Sequence, residues 1–412
     1  MSILSTARRR RRSLLSRVSA ICRSNCSAAA ACAASCSSST PPTLTPSAAK
    51  SRLRKEFDPD KVLSIISSLP SPSSCPSSCR FAIELAVRRL ISARRFADIQ
   101  TLLESRKFEP AASQESFLAT VIFSYGSAGM LNRAISTFED IPGLCSAVPT
   151  TVSFNALLSA AIRAKKPHQV PKIFSEISEK HSITPDNSSY GVLVKALCLS
   201  GKVDKAFEIL KEMDEKGLKV TAFIYTTLID SLYKEGKPVK AEELWNEMLE
   251  NGCKPDLVTH NVKVMYQALH GSPEKVLKSI SEFEAAGLKP DVITYNYLMS
   301  CYSRNGRFGD VMEVYKGLKS KGCDPNAATF KLLLTHLRKI GDFDAGIAVF
   351  KDSVRHNKIP DFMIMRPFVV GLAKNSKVEE AKMVVSVVKQ RFPGNLLGEW
   401  ILVEKELGLN AK

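Results

Sequence analysis

The 412-residue sequence predicts an all-α fold, an α-solenoid (superhelix) of about eight to nine helix-turn-helix repeats of 35 residues. Three observations predict it. Gly201, Gly236, Gly271, Gly306 and Gly341 stand 35 apart, as do Gly217, Gly252, Gly287 and Gly322. Pro255, Pro290, Pro325 and Pro360 keep the same period. A fixed period between 20 and 50 residues marks a repeat array. Within each period, apolar residues recur twice at helical spacing.

Residues 1–55 differ in kind. They hold nine Arg and two Lys but no Asp or Glu, and the stretch 24–40 is nearly all Ser, Ala and Cys. An Arg-rich, Ser-rich, acid-free start is the composition of an organelle transit peptide, expected to be disordered and removed. Its arginines come early, on a short amphipathic segment, which favours the mitochondrial matrix over the chloroplast. No stretch is apolar and long enough to span a membrane. The leader carries +11 of the formal +17, leaving +6 for the rest. Net charge is therefore weak support for a nucleic-acid partner, and the argument must rest on where particular side chains sit.

Residues 56–69 are expected to form one capping helix with Val62, Leu63, Ile65 and Ile66 on its apolar side, followed by a Pro/Ser/Cys linker to residue 79. The array should fill 80–396, divided as 80–114 (degenerate), 115–150, 151–186, 187–221, 222–256, 257–291, 292–326, 327–361 and 362–396. In 222–256 the first helix is apolar at Ile224, Tyr225, Leu228, Ile229 and Leu232, one helical face. Gly236 breaks it and Pro238 opens the second, where a missing N–H costs little. That helix is apolar at Ala241, Leu244, Trp245 and Met248, and Gly252 and Pro255 end it. Neither helix is long enough to be stable alone, so hairpins must stack. Residues 397–412, with Trp400, Ile401, Leu402 and Leu407, are expected to close the array as a cap.

The pattern Thr294-Tyr295-Asn296, then Gly201, Ala206, Glu212-Met213, Gly217 and Pro290-Asp291 in their registers, resembles the pentatricopeptide repeat (PPR) family. The resemblance is to its plain-repeat P subfamily, of the short plant mitochondrial type. It implies single-stranded RNA binding, one base per repeat, through the fifth and last residues. The pairs are Asn155 with Asp186 and Asn261 with Asp291, which in the family favour U. Thr226 with Asp256 favours G, and Asn296 with Asn326 favours a pyrimidine, usually C. Val152, Val258 and Ile293, second in their repeats, would flank the bases. Gly191/Thr221, Lys331/Asp361 and Ala119/Thr150 depart from the pattern. The implied target core is 5′-U-N-G-U-Y-3′. Pure helix capping by Asn and Asp is the competing explanation for these residues.

No catalytic motif, metal set or cofactor signature is present, so no enzymatic activity is expected. The six histidines make no zinc motif, and His260 fills the aromatic slot of Tyr225 and Tyr295. The eleven cysteines suit free thiols in a reduced compartment. The expected partners are messenger or ribosomal RNA, or the small subunit of the mitochondrial ribosome as a structural component. No membrane is expected, and the chain should be a monomer outside any ribosome.

Overall fold

The computed structural model describes residues 44–69, 76–108, 114–145, 148–390 and 394–409. Among them are twenty-two α-helices and no strand. In order, α1 (Pro46–Lys55) and α2 (Pro59–Ser67) precede α3 (Pro76–Ser92), α4 (Phe96–Lys107), α5 (Glu115–Ser127), α6 (Leu131–Glu139) and α7 (Ile141–Cys145). Then come α8 (Thr151–Arg163), α9 (Val170–Lys180), α10 (Asn187–Leu199), α11 (Val203–Glu215), α12 (Ala222–Lys234), α13 (Pro238–Glu250) and α14 (Leu257–His270). The remainder are α15 (Pro273–Ala285), α16 (Val292–Arg304), α17 (Phe308–Gly317), α18 (Ala327–Ile340), α19 (Phe343–Arg355), α20 (Phe362–Lys374), α21 (Val378–Lys389) and α22 (Gly394–Glu406).

Each hairpin packs its two helices together and its first helix against the first helix of the next repeat. In 222–256 all the residues named from sequence, Ile224 to Met248, are buried. Gly236 and Gly252 take positive φ, which lets the chain turn without strain. Gly271 departs from its register mates: it is extended at φ −116°, and Ser272 and Pro273 open α15 at once. The extra residue of 151–186 goes into a 3-10 turn, Pro167–Gln169, and that of 115–150 into the short α7.

Two expectations are corrected. Residues 46–55, assigned to a disordered leader, form a packed helix: Ala49 and Leu53 are fully buried, and Thr45 caps the N-terminus with Pro46 in the first turn. Residues 56–69 are not one helix. Glu56 is extended and Asp58 caps α2, so α1 and α2 form a further hairpin on α3. The Arg89 guanidinium ties this hairpin to the array by donating to the carbonyls of Leu53 and Arg54. Residues 1–43 and 70–75 lie outside the described residues. At the other end Trp400 is buried as expected, whereas Ile401 and Leu402 face outward.

The apolar spine is not uniform. One buried cluster runs from Ala49 to Met248 and a second from Val264 to Leu409. The break falls at α14, which buries only Val264 and Ala268 as apolar residues, where α12 buries Ile224, Tyr225, Leu228, Ile229, Leu232 and Tyr233. His260 does take the aromatic slot, 5.1 Å from the Trp245 ring and 5.3 Å from Phe283.

Candidate nucleic-acid interface

Successive first helices α8, α10, α12, α14, α16 and α18 pack in series, so their fifth residues fall along one seam. The last residue of each repeat is the N-cap of the next first helix. Asp186, Asp256, Asp291 and Asn326 each form a capping box with the Ser or Thr three residues on. Asp256 and Asp291 are held by two backbone N–H groups and a hydroxyl, Asp186 and Asn326 by one N–H and a hydroxyl, which leaves each side chain little freedom.

The fifth residues meet these caps. Asn155 Nδ2 donates to Asp186 Oδ1 (3.1 Å), Asn261 Nδ2 to Asp291 Oδ1 (3.3 Å), and Asn296 Nδ2 to Asn326 Oδ1 (3.2 Å). The box hydroxyl closes each ring. Ser189, Thr294 and Thr329 donate to the Oδ1 of Asn155, Asn261 and Asn296 at 2.6, 2.7 and 2.8 Å. Each Asn therefore has a fixed amide plane. One hydrogen of its NH₂ is committed, and the other is engaged by none of the described hydrogen bonds. Asn261 and Asn296 are 7% and 9% exposed, so little of either residue meets solvent.

Thr226 is built differently. Its hydroxyl reaches the Ala222 carbonyl (2.6 Å) and Thr259 Oγ1 (2.8 Å), and Thr259 in turn reaches Asp256 Oδ1 (3.0 Å). Thr226 and Asp256 are joined through a third residue rather than directly. Of the flanking residues, Val152 and Ile293 are exposed and Val258 is half-buried. Capping and pairing thus coexist in the same atoms.

The departures also have structural accounts. A Cβ on Gly191 would lie 3.2 Å from the Phe223 ring, so that ring covers the place of a fifth side chain. Lys331 stands exposed. Beside Ala119, Thr150 lacks a carboxylate, and Glu115 supplies one. Its Oε1 accepts from the backbone N–H of Thr150 (2.7 Å) and of Ser153 (3.2 Å), and from Ser153 Oγ (2.6 Å).

Sequence reasoning missed a second row. Lys234, Arg304, Lys339 and Lys374 close their first helices, eight residues after the fifth position, about 12 Å along the axis. All four are exposed. Arg163 holds the same place in 151–186, 4.2 Å over the Phe123 ring. The 35-residue spacing of Arg304, Lys339 and Lys374, with Lys234 two periods earlier, was visible in the sequence. Leu199 and Leu269 interrupt the row, which hides it from an average. Among the described residues no group of His, Cys, Asp and Glu is placed to hold a metal ion, and no described helix could cross a membrane.

Comparison with known proteins follows this geometry. The model of the PPR repeat family matches residues 220–264 and 290–339, and models of the PPR repeat match 181–214 and 152–182. The small ribosomal subunit protein mL103 (rPPR7) of Arabidopsis thaliana is 45% identical over 88% of this chain and 88% of its own length. A mitochondrial pentatricopeptide repeat-containing protein of the same plant is 44% identical over 88% of this chain and 86% of its own. The crystal structure of the pentatricopeptide repeat protein PPR10 from maize aligns with 80% of this chain and 58% of that one, at 17% identity and a TM-score of 0.42. With two relatives of this identity matched over most of both lengths, the chain belongs to the pentatricopeptide repeat family.

Proposed function

We propose that this chain binds single-stranded RNA in mitochondria, preferring the core 5′-U-N-G-U-Y-3′, and acts by binding rather than by catalysis. One observation carries the reading. Three Asn amides, each locked between a cap and a hydroxyl, present the same uncommitted N–H edge along one seam. A preorganised donor loses little entropy on meeting a base, as directional recognition requires. The row of cations two turns away suits the phosphates. Binding of a short RNA with this core, against one with G and U exchanged, tests the proposal at matched salt, because phosphate contacts make affinity salt-dependent. Equal affinity for the two would reject it.

A second reading has its own support: the chain is a structural component of the small subunit of the mitochondrial ribosome. The relative named as a small ribosomal subunit protein matches nearly the full length of both chains. Co-sedimentation with the small subunit that survives RNase treatment of free transcripts supports this reading, and crosslinking to one messenger supports the first.

A further inference from the structure

The hairpin of α1 and α2 lies outside the base-reading seam, separated from the hairpin of Asn155 by two others, and its side chains have no role in that reading. Arg52, Arg54, Lys55 and Lys61 are exposed, and none forms an ion pair with the described residues. The nearby acids are engaged. Glu56 Oε1 accepts from the N–H groups of Phe57 and Asp58, Asp58 caps α2, and Asp60 pairs with Arg95 at 3.1 Å. Arg52, Lys55 and Lys61 border a shallow depression of about 430 Å³ with Glu56, Ser64 and Ile65. Cations in the last turn of α1 complement the helix dipole, but that cannot explain Lys61, which sits in the first turn of α2, where a cation is unfavourable.

The patch offers no platform for an unpaired base. The Arg89 guanidinium lies 4.0 Å over the Phe57 ring and the Lys50 ammonium 4.6 Å over the Phe81 ring. No large apolar side chain between residues 44 and 69 is exposed. Single strands are held by stacking on aromatic rings as well as by charge, whereas helical RNA is held through its phosphates and sugars.

We infer that the α1–α2 hairpin is a second RNA-binding surface, which takes the sugar-phosphate backbone of double-helical RNA without regard to sequence. The inference extends the proposed RNA binding to a different surface and a different form of RNA. The seam would read an unpaired segment while this end holds an adjacent helix.

The test uses the full-length chain and a 20-base-pair RNA duplex unrelated to the U-N-G-U-Y core. Lysine acetylation read by mass spectrometry should show Lys55 and Lys61 protected at least threefold by the duplex, with Lys374 unchanged. The variant R52A/R54A/K55A/K61A should bind the duplex at least tenfold more weakly, and its log-log salt dependence should fall by about 3, near one unit per lost phosphate contact. It should bind the single-stranded core as wild type does, which also shows that the array is folded. Full protection of Lys374 with none at Lys55 and Lys61, or unchanged duplex affinity in the variant, would overturn the inference. The variant N261A/N296A separates the two surfaces. It should lose the single strand and keep the duplex, so failure of base reading leaves this result standing.

Discussion

Asp291 is where capping and base reading can be pulled apart. Its Oδ1 accepts from the N–H groups of Ile293 (2.9 Å) and Thr294 (3.0 Å), from Thr294 Oγ1 (3.2 Å) and from Asn261 Nδ2 (3.3 Å). One repeat on, Asn326 Oδ1 makes the equivalent contacts with Thr329 N (3.0 Å), Thr329 Oγ1 (3.2 Å) and Asn296 Nδ2 (3.2 Å). Asn can therefore replace Asp here with the box intact, and Asp291→Asn should change stability by less than about 0.5 kcal/mol. Asp291→Ala removes the cap, at about 1 kcal/mol, and strips Asn261 of its partner, at about another 1 kcal/mol. Base choice should respond in the opposite order. A carboxylate only accepts, which suits the N3–H of uracil, whereas an amide can also donate, which suits the N3 of cytosine. Asp291→Asn should then move the fourth position of the target from U towards C by about 1.4 kcal/mol, a tenfold change in relative affinity. Urea melts give the stabilities. Competition between RNAs differing only at that base, at one salt concentration, gives the preference. If Asp291→Asn folds like wild type and still prefers U to the same degree, Asp291 is a cap and nothing more.

Three further outcomes are expected. Glu115→Ala should destabilise the chain by about 1–2 kcal/mol in a urea melt, because Thr150 and Ser153 lose their shared acceptor, while Glu115→Gln should recover part of the loss. Burial holds the His260 and His336 pKa values below the usual histidine value, helped by Lys263 and Lys339 respectively. The unfolded chain then binds protons more readily, so stability should be full above about pH 6.5 and decline as pH falls below it. The variant H260Q/H336Q should show a smaller drop between pH 7.5 and 5.5, and an equal drop would remove these groups as the cause. Amide hydrogen exchange should be faster in α14 than in α12 or α18, because α14 buries fewer apolar side chains than either and the spine divides there. Uniform protection across the three helices would contradict that weak point.

Much of this was legible in the sequence because one period repeats the same physical instructions. Apolar spacing located the helices of 222–256, and the repeat register together with the family resemblance pointed to the pairs in which Asn155, Asn261 and Asn296 meet their caps. What escaped is local. Composition cannot tell an Arg-rich leader from an Arg-rich helix, and α1 begins inside the basic stretch, with only Thr45-Pro46 as its start signal. Its position before an apolar run makes Glu56 read as the start of a helix. In the structure its carboxylate instead serves the backbone of the turn before α2. The indirect joining of Thr226 to Asp256 depends on the reach of a threonine hydroxyl, which spacing does not encode.

The N-cap that completes each fifth residue belongs physically to the following hairpin: Asp256 is fixed by Thr259, and Asp291 by Thr294. The unit of recognition is therefore offset from the unit of sequence. Anyone transplanting modules from this protein should cut between the two helices of a hairpin, at Gly236 or Gly306, rather than after Pro-Asp. A splice at the sequence boundary would hand each Asn a foreign threonine or serine, and with it a newly oriented amide.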